Sequence, residues 1–412
     1  MATFFLLLIY LAFISLGLPD SLLGTAWPVM QKEFHAPLET AGWLYTTIAA
    51  GTIVSSLASG KMIAKFGTGK ITLVSCLMTA AALFGYSQSP SLVWLVLCAI
   101  PLGLGGGSVD AGLNHYVAAN YKAHHMSWLH CFWGVGATMG PVIMANAMGD
   151  GSWRGGYGTV AAIQFGLAIV LLLTLPLWKK NNGNGRQENL DNDNAIDDSP
   201  VIEEGGAPKH PLRLKGVKFS LLSFLLYCGI EVTVGLWGSS YLVELKDLPA
   251  SVAAQWVSMY YGGITVGRFI TGFVTFKLSN RMLIRIGQMT ALSGAALLVL
   301  PLPQAFSLAG FLIIGLGLAP IYPCLLHETP VRFGQKNAQT IMGYQMAVAY
   351  TGSTLVPPIV GFLAVTFSIG VFPYYLVATA AVMLILSERL NVYFHRRNQI
   401  SHRRNQVSSR QA

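Results

Sequence analysis

The sequence predicts an all-α membrane protein in which twelve transmembrane helices form two pseudo-symmetric six-helix bundles. Composition is the first observation: 53% of the 412 residues are hydrophobic, 10% are charged and mean hydropathy is +0.54. Soluble domains carry about 25% charged residues. The second observation is a series of continuous apolar segments, which excludes a transmembrane barrel because barrel strands alternate apolar and polar residues. The third is one long polar stretch that divides these segments six and six.

The first apolar segment, 4–25, is interpreted as a retained span rather than a signal peptide. It has no basic start, no convincing small-residue cleavage site, and it contains Asp20. Every later segment is close to the roughly 20 residues that a helix needs to cross a bilayer. The later segments are 39–59, 70–88, 92–118, 126–147, 156–178, 217–242, 251–275, 282–302, 306–326, 338–365 and 369–387.

The distribution of basic residues predicts the orientation of these spans. With the N-terminus in the cytoplasm, only Lys32, Arg154 and Lys246 fall in outer loops. Arg268 lies within a span, and the other 22 of the 26 lysines and arginines face the cytoplasm. This positive-inside pattern predicts a multi-pass protein of the cell membrane, in a bacterium the inner membrane, with both termini cytoplasmic. The net charge of +9 then reflects topology and attraction to anionic lipid rather than nucleic-acid binding, above all in the basic tail, 391–412.

A polar stretch at 179–216 separates an N-terminal bundle, 1–178, from a C-terminal bundle, 217–390. It is rich in Asn, Gly and Asp, so it cannot bury a core and is expected to be a flexible cytoplasmic linker. Short motifs recur at matching positions of the two halves and favour a duplicated bundle. The paired motifs are Gly60 to Gly67 with Gly272 to Ser279, Gly103-Leu-Gly105 with Gly315-Leu-Gly317, and Asp20 to Gly24 with Glu231 to Gly235.

The loop after the second span carries a family motif. Its sequence GKMIAKFGTGK resembles the major facilitator superfamily pattern Gly-x-x-x-Asp-[Arg/Lys]-x-Gly. Gly60, Lys65 and Gly67 match this pattern, whereas Ala64 stands where the family has Asp. The resemblance covers essentially the whole chain and implies a transporter, with these three matching residues in structural or gating roles. Arg268 is expected to brace the cytoplasmic side of the eighth span, against carbonyl groups or an acid.

Several further features lie within the predicted spans. They are Asp20, the Asp110-x-x-x-Asn114 pattern, Gly229-Ile-Glu231, Gly267-Arg268-Phe269, and His130-Cys-Phe-Trp-Gly134-Val-Gly136. Together they resemble the fucose/glucose:proton symporter branch of that superfamily, and this resemblance implies proton-coupled sugar transport. Asp110 stands where many members of the branch carry Glu, and because its side chain is shorter, the resemblance does not specify the substrate.

Three acids lie well inside predicted spans: Asp20, Asp110 and Glu231. Together with Arg268 their charge would be net negative, and desolvation and mutual repulsion favour the protonated form of at least one of them. An acid that holds a proton on one side and releases it on the other is what proton coupling requires. Asp110 is the expected carrier, with Asn114 one helical turn away on the same face. The alternative for each acid is an interhelical hydrogen bond without a transport role.

Sugar binding requires hydrogen-bonding groups for hydroxyls and flat apolar surfaces for the C–H side of the ring. The alternatives are interfacial or packing roles for the tryptophans, and a solvated or structural role for His130. The five cysteines lie in apolar runs without a CxxC pair, so no disulfide, metal site or cofactor is expected. The candidate substrate-binding residues are Asn114, His130, Gln345, Trp237, Trp256 and Tyr260, with Trp133 among the other aromatics near polar positions.

The sequence therefore predicts a secondary transporter that carries a small polar solute, such as a monosaccharide, together with protons. We expect a functional monomer. A proton-driven exporter of drugs or metabolites on the same fold is the first alternative. Such an exporter would have a mainly aromatic cavity, and the polar Asp110–Asn114 pair argues against this alternative. A non-transporting receptor would usually carry a soluble output domain. The sequence contains no residue spacing typical of a nucleophile–base pair or a metal site, so an enzyme is not expected.

Overall fold

The computed structural model describes residues 2–120, 123–188, 211–275 and 277–411. Within these ranges the chain forms fourteen α-helices and one short 3-10 helix, and it contains no β-strand. Residues 189–210, most of the predicted linker, lie outside the described residues. The α-helices are α1 (Ala2–Asp20), α2 (Leu22–Glu33), α3 (Thr40–Phe66), α4 (Thr68–Ser87), α5 (Leu92–Asn120), α6 (Ala123–Gly149), α7 (Trp153–Glu188), α8 (Val217–Lys246), α9 (Ala250–Val274), α10 (Asn280–Val299), α11 (Gln304–Leu318), α12 (Ile321–Phe333), α13 (Gln335–Thr366) and α14 (Val371–Gln411).

These helices form the twelve segments that the sequence predicts, because two segments are each built from a pair of helices. Ser21 alone separates α1 from α2, and Ala319 and Pro320 separate α11 from α12. Proline explains both breaks, since its nitrogen cannot donate to the carbonyl four residues earlier. Pro19 directly precedes the first break, and Pro320 lies within the second. The first segment extends to Glu33, beyond the predicted end at residue 25.

Ten of the twelve segments are long and apolar enough to cross a membrane, judged over the described residues. The two segments outside this set are α6 and α9. Both helices contain polar side chains: α6 contains His125 and His130, and α9 contains Gln255 and Arg268. Helix α14 runs on through the predicted basic tail as far as Gln411.

Contacts divide the chain into two compact units. Unit 1 comprises Met1–Ser199, Val232–Val266 and Thr354–Phe372. In unit 1, α1 packs on α6, and α3 and α4 pack on α5. Its core includes the buried side chains of Phe5 and Trp178. This core lies beside the segments that carry Asp20 and Asp110.

Unit 2 comprises Pro200–Glu231, Gly267–Ser353 and Pro373–Ala412. In it α10 packs on α11 and α12, and a separate core includes Val217 and Leu390. The division into bundles at 1–178 and 217–390 stays a prediction.

Glycine brings α3 and α5 into close contact in unit 1. A Cβ atom at Gly103 would overlap the carbonyl oxygen of Ile48, and one at Gly107 would overlap that of Thr52. The Thr52 hydroxyl donates to the Gly103 carbonyl at 3.2 Å, and the Ser56 hydroxyl donates to the Gly107 carbonyl at 3.1 Å. These contacts advance by four residues on both helices, so α3 and α5 run parallel with their backbones nearly touching.

Candidate functional site

The Asp110 carboxylate and the Asn114 side chain form a pair on α5. The Asn114 Nδ2 atom donates to Asp110 Oδ1 at 2.8 Å, as their spacing of one helical turn predicts. The other end of the amide is different: Asn114 Oδ1 is buried and has no hydrogen-bond partner among the described residues. A buried acceptor without a donor is rare in folded proteins and points to a ligand or an ordered water.

Asp110 and Asn114 continue the helix face that packs on α3. Residues at 103, 107, 110 and 114 lie within about 60° of one another around a helix of 3.6 residues per turn. Gly103 and Gly107 form the tight contact with α3, and the acid and the amide follow on the next two turns. Ser55 and Ser59, both buried, occupy the corresponding stretch of α3. The acid therefore lies along a helix–helix contact, the environment expected for a carboxyl group within a span.

The carboxylate of Glu231 forms an ion pair with Arg268. Arg268 Nη2 lies 3.0 Å from Glu231 Oε1, and the two side chains are 13% and 16% exposed. The Tyr227 hydroxyl donates to the same carboxylate oxygen at 3.1 Å and lies 3.3 Å from Arg268 Nη2. Arg268, expected from the sequence to face carbonyl groups or an acid, thus contacts an acid on α8 within unit 2.

Asp20 is the last residue of α1, at the break in the first segment. Its side chain is exposed although the residue lies within a candidate span. Trp133 on α6 donates its indole Nε1–H to Asp20 Oδ2 at 2.8 Å. A carboxylate at the C-terminal end of a helix is disfavoured by the helix dipole, and this indole donor offsets part of that cost.

A small cavity of about 60 Å³ lies within unit 1 beside Asp20. Its wall includes Tyr45 and Thr52 of α3, Gly106 of α5, and Gln164 of α7. This volume accommodates a few water molecules. Polar groups in the wall therefore provide partners for water near the Asp20 carboxylate.

Three of the predicted substrate-binding side chains are fully buried: Trp237, Tyr260 and Gln345. The Trp237 indole donates to the Pro357 carbonyl at 2.8 Å. The Gln345 amide donates to the Ser220 hydroxyl at 2.9 Å. Both polar groups are thus engaged within the protein, and the substrate-binding role of all three residues stays a prediction.

Trp256 and His130 are half-buried. The His130 ring packs edge-on against Phe13, with ring centroids 6.0 Å apart. Partial exposure is compatible with solute contact, and the binding roles of Trp256 and His130 stay predictions.

The motif after the second span lies at the end of α3. Gly60 has open space around it, and Lys65 is exposed, with its ammonium 5.2 Å from the Phe66 ring centroid. Gly67 links α3 to α4 with a φ of 85°, a conformation that favours glycine. This explains the glycine at the end of the motif, whereas the gating role of Gly60 and Lys65 stays a prediction.

Two residues around these acids were not singled out by the sequence: Gln164 and Tyr227. Gln164 is 1% exposed and is the only amide side chain in the sixth apolar segment, 156–178, which was a usable signal. Tyr227 lies one helical turn before Glu231; helical spacing predicts their contact once the acid is chosen.

The helical architecture and the acids within its spans define a polytopic membrane protein of the transporter class. Residues 9–357 match the family model described as Major Facilitator Superfamily, and the chain belongs to this superfamily. It is accordingly a multi-pass membrane transporter and not an enzyme. The resemblance inferred from the loop motif and the predicted fold class are both confirmed by this match.

Similar proteins include several sugar transporters. The glucose/mannose transporter GlcP of Bacillus subtilis is 23% identical over 308 residues, which cover 71% of each chain. Bypass of stop codon protein 6 of Saccharomyces cerevisiae is 22% identical over 88% of this chain and 77% of its own.

Two solved structures share the fold at 14% identity. The xylose transporter XylE from E. coli, in an inward-open conformation, has a TM-score of 0.72 over 93% of this chain and 96% of its own. The Major Facilitator Superfamily transporter FucP, in an outward conformation, has a TM-score of 0.58 over 93% and 98%.

Proposed function

We propose that the protein is a secondary active transporter that carries a monosaccharide together with protons by alternating access. The observation that carries the proposal is the Asp110–Asn114 pair, with a buried amide oxygen that lacks a donor. The names of GlcP and XylE, a glucose/mannose and a xylose transporter, support a sugar as the solute. On this proposal the protein works as a monomer in the cell membrane, with both termini in the cytoplasm.

The unpartnered Asn114 oxygen favours a solute rich in hydroxyl groups. A buried acceptor left without a donor costs about 1–3 kcal/mol. A sugar hydroxyl supplies that donor and also accepts hydrogen bonds. A bound solute of this kind would thus supply the partner that the acceptor lacks.

The contact between Arg268 and Glu231 supports different roles for the acids. Protonating Glu231 would remove the negative charge that lies 3.0 Å from the Arg268 guanidinium, which is costly for a mostly buried ion pair. Glu231 is therefore proposed to stay charged and to hold Arg268 in place. Asp110 is proposed to carry the proton, and Asn114 senses it because its Nδ2 atom contacts the carboxyl group directly.

The experiment compares Asp110→Asn with Glu231→Gln in the same proteoliposomes. Counterflow of labelled glucose measures exchange, which needs no net proton movement, and uptake driven by a pH gradient measures coupling. Asp110→Asn is expected to lose uphill uptake and retain counterflow, whereas Glu231→Gln is expected to lose both because Arg268 loses the carboxylate that forms its ion pair. Uphill uptake by Asp110→Asn at the wild-type level would rule out the proton assignment. Proton-driven efflux without uptake would instead support an exporter.

A further inference from the structure

The break between α1 and α2 places an acid and an aromatic ring side by side within a membrane span. Asp20 is exposed, and the half-buried indole of Trp133 is held against it by a hydrogen bond of 2.8 Å. Discontinuous helices are common at the solute sites of transporters because their ends expose polar groups within the membrane. An exposed carboxylate at this depth must face water or a ligand rather than lipid.

Packing between α1 and α6 fixes the position of Trp133. A Cβ atom at Gly17 would overlap the Trp133 carbonyl oxygen, so the two backbones touch at this point. The Trp133 side chain packs against the buried core of unit 1. Since its N–H group is engaged by Asp20, the part of Trp133 available to a solute is the apolar ring.

A second aromatic side chain lines the cavity beside the acid. Tyr45 of α3 and Asp20 line the same small cavity, and Tyr45 is partly exposed. The cavity itself accommodates only water, so a larger solute would contact Asp20 from its exposed side. The arrangement is a hydroxyl acceptor next to flat apolar surface, which is what a sugar ring requires.

We propose that Trp133 is the aromatic platform for the C–H face of a cyclic sugar and that Asp20 accepts hydrogen bonds from the adjacent hydroxyls. This inference rests on the proposed function and deepens it, since it specifies a ring-shaped polyol over an open-chain one. Asp20 then acts in solute binding, and its hydrogen bond with Trp133 sets the angle between acceptor and ring.

The test measures the uptake kinetics of labelled glucose and mannose for Trp133→Ala, Trp133→Phe and Asp20→Asn. Trp128→Ala is the matched control, because Trp128 is on the same helix and is 52% exposed. Trp133→Ala is expected to raise KM about tenfold with little change in Vmax, as loss of an aromatic contact of this kind implies. Trp133→Phe retains a ring and should stay within about threefold of wild type, while Trp128→Ala leaves KM unchanged. Asp20→Asn should raise KM because the amide has one acceptor oxygen instead of two.

Competition by sorbitol, an open-chain polyol, separates ring recognition from hydroxyl recognition. Wild-type protein should prefer glucose over sorbitol, and Trp133→Ala should lose most of that preference. If the wild-type protein transports sugar and Trp133→Ala has an unchanged KM, the proposed role of Trp133 is overturned and the proposed function is not. An equal fall of Vmax in Trp133→Ala and Trp128→Ala without a change in KM would overturn the role of Trp133 as well. A wild-type protein that neither binds nor transports any monosaccharide would overturn the proposed function as well. If Trp133→Ala does not fold, Trp133→Leu and Trp133→Phe provide the same comparison.

Discussion

Gln164 donates its side-chain amide to the backbone carbonyl of Ser15, with Nε2 and O 2.6 Å apart. Ser15 lies four residues before Pro19, so its carbonyl is the one that the proline nitrogen cannot satisfy. The same amide accepts a hydrogen bond from the Ser15 hydroxyl at 2.8 Å. A side chain of α7 therefore completes the helix that breaks next to Asp20.

Replacing Gln164 should destabilise the protein, and replacing Pro19 should offset part of the loss. Gln164→Met keeps the volume but leaves the buried Ser15 carbonyl unpaired, at a cost of about 1–3 kcal/mol. In Pro19→Ala the new backbone N–H can donate to that carbonyl. Thermal unfolding in detergent of the two single variants and the double variant should show a smaller effect of Gln164→Met in the Pro19→Ala background. Equal effects in both backgrounds would contradict the link between Gln164 and Pro19.

Two nearby glycines of α5, Gly103 and Gly106, should differ in how much their replacement by alanine destabilises the protein. Gly103→Ala places a Cβ atom on the Ile48 carbonyl, whereas at Gly106 the nearest atom to a Cβ is Leu16 Cδ1 at 3.9 Å. Forcing the α3 and α5 backbones apart should cost about 1–3 kcal/mol, and Gly106→Ala should be nearly neutral. The melting temperatures of the two variants test this difference. A melting temperature of Gly103→Ala equal to that of the wild-type protein would contradict the close α3–α5 contact.

Hydropathy alone predicted the twelve segments, because crossing a membrane imposes a length and an apolar character on each helix. The sequence could not specify which polar groups meet. Arg268 and Glu231 are 37 residues apart and Gln164 and Ser15 are 149 apart, and no local pattern encodes such pairs. Asp110 and Asn114 were paired correctly because helical periodicity links them directly.

Exposed positions at opposite helix ends provide a test of the proposed orientation. Ser152 precedes α7, and Lys70 lies in the first turn of α4; both are exposed. A membrane-impermeant thiol reagent should label Ser152→Cys in intact cells and Lys70→Cys only after permeabilisation. The native protein is the control for its own five cysteines. The opposite labelling pattern would place the termini outside the cell.

The ion pair between Glu231 and Arg268 should behave as a unit. Removing one partner of a mostly buried ion pair costs about 3–5 kcal/mol, because the remaining charge loses the opposite charge beside it. Glu231→Gln and Arg268→Gln should each lower the melting temperature, and the double variant should be more stable than either single variant. Additive losses in the double variant would show that the two groups do not depend on each other.

Two amide side chains within spans, Asn114 and Gln345, should differ in what their replacement changes. Replacing Asn114 should weaken sugar binding, whereas replacing Gln345 should lower stability. Asn114→Leu loses a hydrogen bond to a charged group, about 1.5–3 kcal/mol, but it also removes an unpartnered acceptor that costs about 1–3 kcal/mol. These contributions nearly cancel, so the variant should fold at close to wild-type stability and lose sugar affinity. Gln345 is fully buried, and it donates to Ser220 and Thr329 and accepts from Thr329. Gln345→Met should therefore lower the melting temperature clearly. Uptake kinetics and thermal unfolding of both variants provide the measurement; an unchanged KM for glucose in Asn114→Leu would remove the Asn114 amide from the proposed solute site.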